Sequence, residues 1–131
     1  MHRVVFDTNV LISAFIYGGN PERLFDLARY GELQLITSPD ILMEFASILK
    51  EKFAWVEADI AEAIKAVGYS SELVRPTERL SVVFDDADNR ILECALAGKA
   101  GFIISGAHHL LELKEYEGIR IVKPMAFLRF L

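Results

Sequence analysis

Short apolar segments typical of strands alternate with segments of helical periodicity along the whole chain, and this alternation constrains the fold most. It predicts an α/β fold with a largely parallel sheet. We expect four to five strands, with helices between them, in a single domain over residues 1–131. The strand segments are 3–7, 33–37, 102–105 and 119–122, with a short fifth at 73–74, while 81–84 is either a brief strand or only extended.

Composition sets outer limits on the class of protein. The chain has 131 residues, of which 53% are hydrophobic, enough for a sizeable core. Its apolar runs are far shorter than the roughly 18 residues of a membrane span, and its start does not resemble a signal peptide, so we expect a cytoplasmic protein without membrane contact. The net charge of −5 argues against a broad basic surface but does not exclude a nuclease. Cys94 is the only cysteine and is expected to be a helix-packing thiol.

Two positions carry a helix-start signal. Asn20-Pro21 and Ser38-Pro39 each combine a favoured N-cap residue with proline at the first helical position. The first predicts a helix that ends near Gly31, and the second predicts a long helix to about residue 53.

Three carboxylates occupy positions where charge and burial conflict. Asp7 ends the first strand, and ligands of parallel sheets bind beyond such strand ends. Glu44 lies three residues after Ile41 and four before Ile48, which places it at the edge of an apolar helix stripe. Asp88 shares the apolar side of a later helix at its first turn. Simpler interpretations stay open, namely an N-cap role for Asp88 or Asp86 and an exposed edge position for Glu44.

Carboxylates brought together need a compensating partner. Two of them about 4 Å apart repel by roughly 4 kcal/mol at an effective dielectric of 20. Protons or a divalent cation must relieve this repulsion, and Mg²⁺ or Mn²⁺ prefers oxygen ligands. A water acidified by such a metal can attack a phosphodiester, so the pattern favours metal-dependent phosphate chemistry.

Other catalytic patterns are weaker. Gly18-Gly19 lacks the lysine of a phosphate-binding loop, and no serine lies in a nucleophile elbow. His108 and His109 could be metal ligands, but adjacent residues of a helix point to different sides, which favours a solvated pair.

Four segments together resemble the PIN domain family across essentially the whole chain. They are VVFDTNVLIS at 4–13, SPDILMEF at 38–45, DDADNRILECA at 85–95 and FIISGAHHLL at 102–111. The resemblance is greatest to the small prokaryotic branch of toxins of the VapC type. It implies a three-layer α/β/α fold and a Mg²⁺- or Mn²⁺-dependent endoribonuclease. It also implies a homodimer that a cognate antitoxin often holds inactive.

The resemblance also assigns roles to residues. Asp7, Glu44 and Asp88 match acidic metal-site positions, and Asn9 and Ser105 match the polar residues that accompany them. The family usually has a fourth carboxylate at the position of Ala107, so activity is expected to be weakened there.

Arg90 follows the acidic turn and is a candidate contact to RNA, although an ordinary surface charge is the simpler interpretation. A catalytically inactive PIN-like module that binds RNA or protein is the alternative function, and Ala107 supports it. A third interpretation starts from residues 6–9, which superficially resemble the nucleophile motif of haloacid-dehalogenase-like phosphatases. That motif needs a second aspartate where this chain has Asn9.

Overall fold

A computed structural model describes residues 1–131 and contains one six-stranded sheet. The strands are β1 (Arg3–Phe6), β2 (Gln34–Thr37), β3 (Ser71–Leu73), β4 (Phe102–Ile104), β5 (Glu115–Tyr116) and β6 (Ile119–Val122). Their order across the sheet is β3-β2-β1-β4-β6-β5, and every neighbouring pair is parallel except β5 with β6. The predicted α/β class with a mostly parallel sheet is confirmed.

Seven helices connect and cover these strands. They are α1 (Thr8–Ile16), α2 (Gly19–Arg29), α3 (Pro39–Glu51), α4 (Glu57–Tyr69), α5 (Asp86–Ala97), α6 (His108–Leu113) and α7 (Pro124–Phe130). Together with the sheet they form the three layers of an α/β/α fold. None of them combines the length and the apolarity that a membrane crossing requires.

The central strands are apolar because helices cover both faces of the sheet. Val4, Val5, Ile103 and Ile104 are fully buried in a core of 31 residues. Cys94, on α5, is also fully buried, and burial raises the pKa of its thiol to about 12. The prediction of a helix-packing thiol is therefore confirmed.

The helix α5 is held tightly against the sheet at its C-terminal end. A Cβ atom on Gly98, the C-cap residue, would lie 2.6 Å from Cγ2 of Ile36 on β2. The absence of a side chain at Gly98 allows this close approach. It fixes α5 beside β1, β2 and β4, so the acidic N-terminal turn of α5 is anchored relative to the strand ends.

One feature of the sheet differs from the predictions, and one alternative that they left open is decided. The sheet has a sixth strand, the two-residue β5, which pairs antiparallel with β6 and is too short to leave a sequence pattern. Residues 81–84 form no strand, because the backbone N–H groups of Val82 and Val83 donate to the side chain of Asn89 instead of a strand partner.

Of the two helix starts, only the second follows the predicted signal. The prediction that Asn20 caps α2 is wrong, since the helix begins at Gly19 after Gly18, whose φ of 77° suits glycine. Ser38 does cap α3, and its hydroxyl accepts a hydrogen bond from the Ile41 N–H, with Pro39 in the first turn.

Candidate functional site

Asp7 and Ser105 meet at the carboxyl edge of the sheet because β1 and β4 are parallel neighbours. Phe6 is paired with Ile104, so the residue after each strand lies at the same level. The Ser105 hydroxyl donates to Asp7 Oδ2 at 2.6 Å, and the Asn9 backbone N–H donates to Asp7 Oδ1 at 3.0 Å. Asp7 is 4% exposed and Ser105 is fully buried. Both carboxylate oxygens are thus fixed in orientation by donors.

Asp88 lies in the first turn of α5 and does not cap it. The cap is Asp85, whose Oδ1 accepts a hydrogen bond from the Ala87 N–H at 2.9 Å. Asp86 instead accepts a hydrogen bond from the side chain of Asn89 at 3.2 Å. The alternative interpretation of Asp88 or Asp86 as the N-cap is therefore wrong. The Asp88 side chain, 9% exposed, is left without a local structural role.

The charges of this edge are not compensated within the protein. Burial raises the pKa of Asp7, against the hydrogen bonds from Ser105 and Asn9 that lower it. Burial and then the charges of Asp7, Asp85 and Glu44 raise the pKa of Asp88 to about 6, while His109 acts in the opposite direction. None of the ion pairs in the protein includes Asp7, Glu44 or Asp88. The edge therefore favours either protons or a cation.

Glu44 lies near Asp7 and Asp88 but is less deeply buried than either. It is half-buried on α3, next to the buried face formed by Ile41, Phe45 and Leu49, and its charge reaches Asp88. No three His, Cys, Asp or Glu side chains of the protein are gathered closely enough to hold a metal ion between them. The two buried carboxylates nonetheless fit Mg²⁺ or Mn²⁺, because Mg²⁺ is usually bound through one or two carboxylates and keeps several waters.

The two residues expected to accompany the acids differ in how they act. Asn9 is exposed, and it is its backbone N–H that contacts Asp7. Ser105 contacts Asp7 directly, and its Oγ also accepts a hydrogen bond from the Ala107 N–H at 2.9 Å. Ala107 is the N-cap residue of α6 and makes no side-chain cap bond. An acidic side chain at position 107 would thus start from backbone already tied to Ser105 and through it to Asp7.

Arg90 faces a different part of the protein. Its guanidinium lies 2.8 Å from Glu93 Oε2 and donates to the Leu80 carbonyl at 3.2 Å, and its side chain is 23% exposed. The structure does not bring Arg90 together with the acidic residues, and its role as an RNA contact remains a prediction without geometric support.

Sequence reasoning missed one residue of this edge, Asp85, and did not favour a site role for another, His109. Asp85, next to the exposed Phe84, adds its charge to both Asp7 and Asp88. His109 is close enough to Asp88 to influence it, whereas His108 pairs with Glu112 at 2.8 Å. Both histidines are exposed, with ring centroids 5.7 Å apart, as expected of a solvated pair, but the sequence pattern could not tell that it is His109 whose charge acts on Asp88.

A mostly parallel sheet with buried, uncompensated carboxylates beyond its strand ends defines a small α/β protein with an acidic ligand site. Residues 3–109 match the family model described as the PIN domain. The chain therefore belongs to the PIN domain family, whose members are generally nucleases.

The chain is also similar to individual proteins in sequence or in fold. The chain is 33% identical over 118 residues to an uncharacterised protein, MJ1680, of Methanocaldococcus jannaschii, covering 86% of this chain and 76% of that protein. The fold of this chain is similar to that of VapBC2 from Rickettsia felis, whose structure was solved bound to a DNA fragment from its promoter. The TM-score is 0.65 with 12% identity, over 91% of this chain and 96% of the other. PAE2754 from Pyrobaculum aerophilum is also similar, with a TM-score of 0.60 and 13% identity, over 98% and 88% of the two chains.

Proposed function

We propose that the chain, acting as one domain over residues 1–131, is a Mg²⁺- or Mn²⁺-dependent endoribonuclease and the toxin component of a toxin–antitoxin pair. The observation that carries the proposal is that Asp7, whose oxygens accept hydrogen bonds from Ser105 and Asn9, and Asp88 are both buried and that neither forms an ion pair with a lysine or arginine. Membership of a family of nucleases supports phosphodiester chemistry at this site. The similarity in fold to VapBC2 motivates the search for an antitoxin partner.

In this proposal Asp7 and Asp88 would hold the cation, and Glu44 would act on it through water. When bound, a divalent cation lowers the pKa of a water that attacks the phosphodiester and offsets the charge on the phosphate. Ser105 and the Asn9 N–H keep the Asp7 carboxylate in one orientation, so its oxygens need not reorganise when the substrate arrives. Burial of both acids keeps bulk water from screening their charge.

Asp7→Asn tests the mechanism with little disturbance of the fold. The amide oxygen still accepts from the Asn9 N–H, and the amide NH2 can donate to Ser105 Oγ, so the charge is lost and the hydrogen bond with Ser105 reverses its direction. We expect cleavage of a generic single-stranded RNA with Mn²⁺ to fall at least about 100-fold, since even changes around metal ligands cost 10- to 100-fold. EDTA should abolish cleavage by the unmodified protein.

Asp59→Asn, an exposed acid on α4, is the matched control and should retain full cleavage. Cleavage that survives both EDTA and Asp7→Asn would reject the metal mechanism.

The toxin role has its own test. Expression in a prokaryotic host should arrest growth, and co-expression of the product of a neighbouring gene should relieve the arrest. Growth arrest by the Asp7→Asn variant would show that the toxicity does not depend on metal-dependent RNA cleavage. A homodimer in a cytoplasmic setting belongs to the same proposal, and sedimentation analysis of the purified protein tests the dimer.

A second candidate is a catalytically inactive PIN-like module that binds RNA or a protein partner. Two observations favour it: the alanine at position 107 and the absence of a ready cluster of three metal ligands. It predicts RNA binding without Mn²⁺-dependent cleavage, identical in the unmodified protein and in Asp7→Asn.

A further inference from the structure

We propose that Phe84, with His109 beside it, is a stacking platform that holds one base of a single-stranded nucleic acid next to the acidic edge. The inference rests on the proposed function, because it names how a nucleic-acid substrate would be positioned at that site. Phe84 would be a positioning residue, whereas Asp7 and Asp88 carry the chemistry.

Phe84 is the most exposed large apolar side chain of the protein. It is 93% exposed, although the chain supplies a core of 31 buried residues around the sheet. A single exposed apolar residue is normal by itself. The significance of Phe84 therefore depends on how it is held and on what lies next to it.

The backbone that carries Phe84 is fixed on both sides. Before it, the fully buried Asn89 side chain accepts hydrogen bonds from the Val82 and Val83 N–H groups and donates to the Val83 carbonyl, each at 3.0 Å. After it, Asp85 caps α5. Because the backbone is already fixed, only the two side-chain torsions of the ring are left to be ordered when a base covers it, which limits the entropic cost of binding.

The ring lies at the rim of the candidate site. Its centroid is 6.3 Å from that of His109, with the two rings tilted by 53°. The charge of His109 acts on Asp88, and the charge of Asp85, the next residue after Phe84, acts on both Asp7 and Asp88. A base on Phe84 would thus belong to the same strand whose phosphate meets the acids.

Charge explains why an aromatic residue suits this position. The protein has a net charge of −5, and Arg90, the arginine on the first turns of α5, is committed to Glu93 and Leu80. Arg90 therefore adds no phosphate contact beside Phe84. Stacking is independent of charge and accepts every base, because each base has a π-face.

The platform is tested by the binding of a short 2′-O-methyl oligoribonucleotide, which cannot be cleaved, in the presence of Mn²⁺. Fluorescence anisotropy measures the dissociation constant, so RNA cleavage does not affect the result. Phe84→Ala should raise the dissociation constant by about 5- to 150-fold, the range for one stacked base. Phe84→Trp should bind at least as well as the unmodified protein. Tyr69→Ala, which removes another exposed aromatic ring at the end of α4, should have no effect.

An abasic scan of the oligonucleotide locates the stacked base. Replacing that one base should weaken binding to the unmodified protein and leave binding to Phe84→Ala unchanged, whereas other positions should weaken both alike. The effect of Phe84→Ala should also persist at high salt, since stacking is not screened.

The outcomes separate this inference from the proposed function. Oligonucleotide binding that is equal in the unmodified protein and in Phe84→Ala overturns the platform, even if Mn²⁺-dependent cleavage is present. A protein partner lost with Phe84→Ala while oligonucleotide binding stays intact overturns it too, as does an unmodified protein that binds no oligonucleotide. Binding that depends on Phe84 in a protein that cleaves no RNA supports the platform and rejects only the proposed catalysis.

Discussion

Two carboxylates on the same helix, Asp88 and Glu93 of α5, are both buried, and their surroundings are opposite. Glu93, 3% exposed, accepts a hydrogen bond from the Leu80 N–H at 2.7 Å and lies within 3.3 Å of Arg79 and 2.8 Å of Arg90. Asp88 has three acidic neighbours, and none of its contacts is a lysine or arginine.

The difference separates a structural carboxylate from a candidate site. Glu93 holds the chain before α5 onto the helix, and its charge is balanced by the two arginines. The charged form of Asp88 destabilises the metal-free protein, because burial and its acidic neighbours oppose its charge. A buried charge with a complete set of partners indicates structure, and a buried charge among like charges indicates a candidate ligand site.

Removing Glu93 should give the largest change in stability. Glu93→Ala leaves the Leu80 N–H without its acceptor and Arg90 without its ion pair, so we expect the free energy of unfolding to fall by about 3 kcal/mol. Urea denaturation measures this change. Glu112→Ala, which removes an exposed pair with His108, should cost less than about 0.5 kcal/mol. A loss at Glu93 no greater than that at Glu112 would contradict the comparison.

Removing the charge of Asp88 should act in the opposite direction. The pKa of Asp88 is raised from 3.8 to about 6 in the folded protein. Its contribution to stability is therefore complete below the unfolded pKa and is lost as the pH rises through about 6. Asp88→Asn should make the metal-free protein more stable at pH 7 by roughly 1 kcal/mol, discounted for the solvent that reaches the group.

Urea midpoints measured between pH 4 and pH 7 in EDTA check this sign. The unmodified protein should lose stability over that window more steeply than Asp88→Asn. Parallel profiles for the two proteins would show that Asp88 is not destabilising. Saturating Mn²⁺ should reverse the order at pH 7, since only the unmodified protein gains from binding.

Introducing an acid at position 107 should give a change no larger than that at Asp88. Ala107→Asp adds a carboxylate beside Ser105, and we expect Mn²⁺ to bind about fivefold more tightly, or about 1 kcal/mol, with faster RNA cleavage. An aspartate at this N-cap also stabilises α6. Ala107→Asn supplies the cap without the charge and is the control. Titration calorimetry that gives equal affinities for all three proteins would refute the expectation.

The fold was predictable where periodicity and strand adjacency determine it. Asp7 and Ser105 could be expected to meet because the carboxyl ends of parallel strands share an edge. The N-cap at Ser38 was also predictable, because it depends on a contact between residues only three positions apart.

The parts of the site that were not predicted depend on the path of the irregular segment before α5, residues 74–85. This segment shows no hydrophobic periodicity from which its path could be predicted. Asn89 and Glu93 fix that path through contacts with Leu80, Val82 and Val83. Nothing in their spacing distinguishes them from ordinary helix residues. The position of Asp85 beside the acids and the exposure of Phe84 follow from that path and were therefore not predictable.

The rate at which the buried thiol of Cys94 reacts can measure how often α5 opens. It lies on the same helix as Asp88 and Glu93, and both its burial and its raised pKa prevent reaction in the closed protein. Alkylation by a reagent such as iodoacetamide would then proceed only when the helix detaches from the sheet. With no other cysteine in the chain, the labelling rate would report that one event directly.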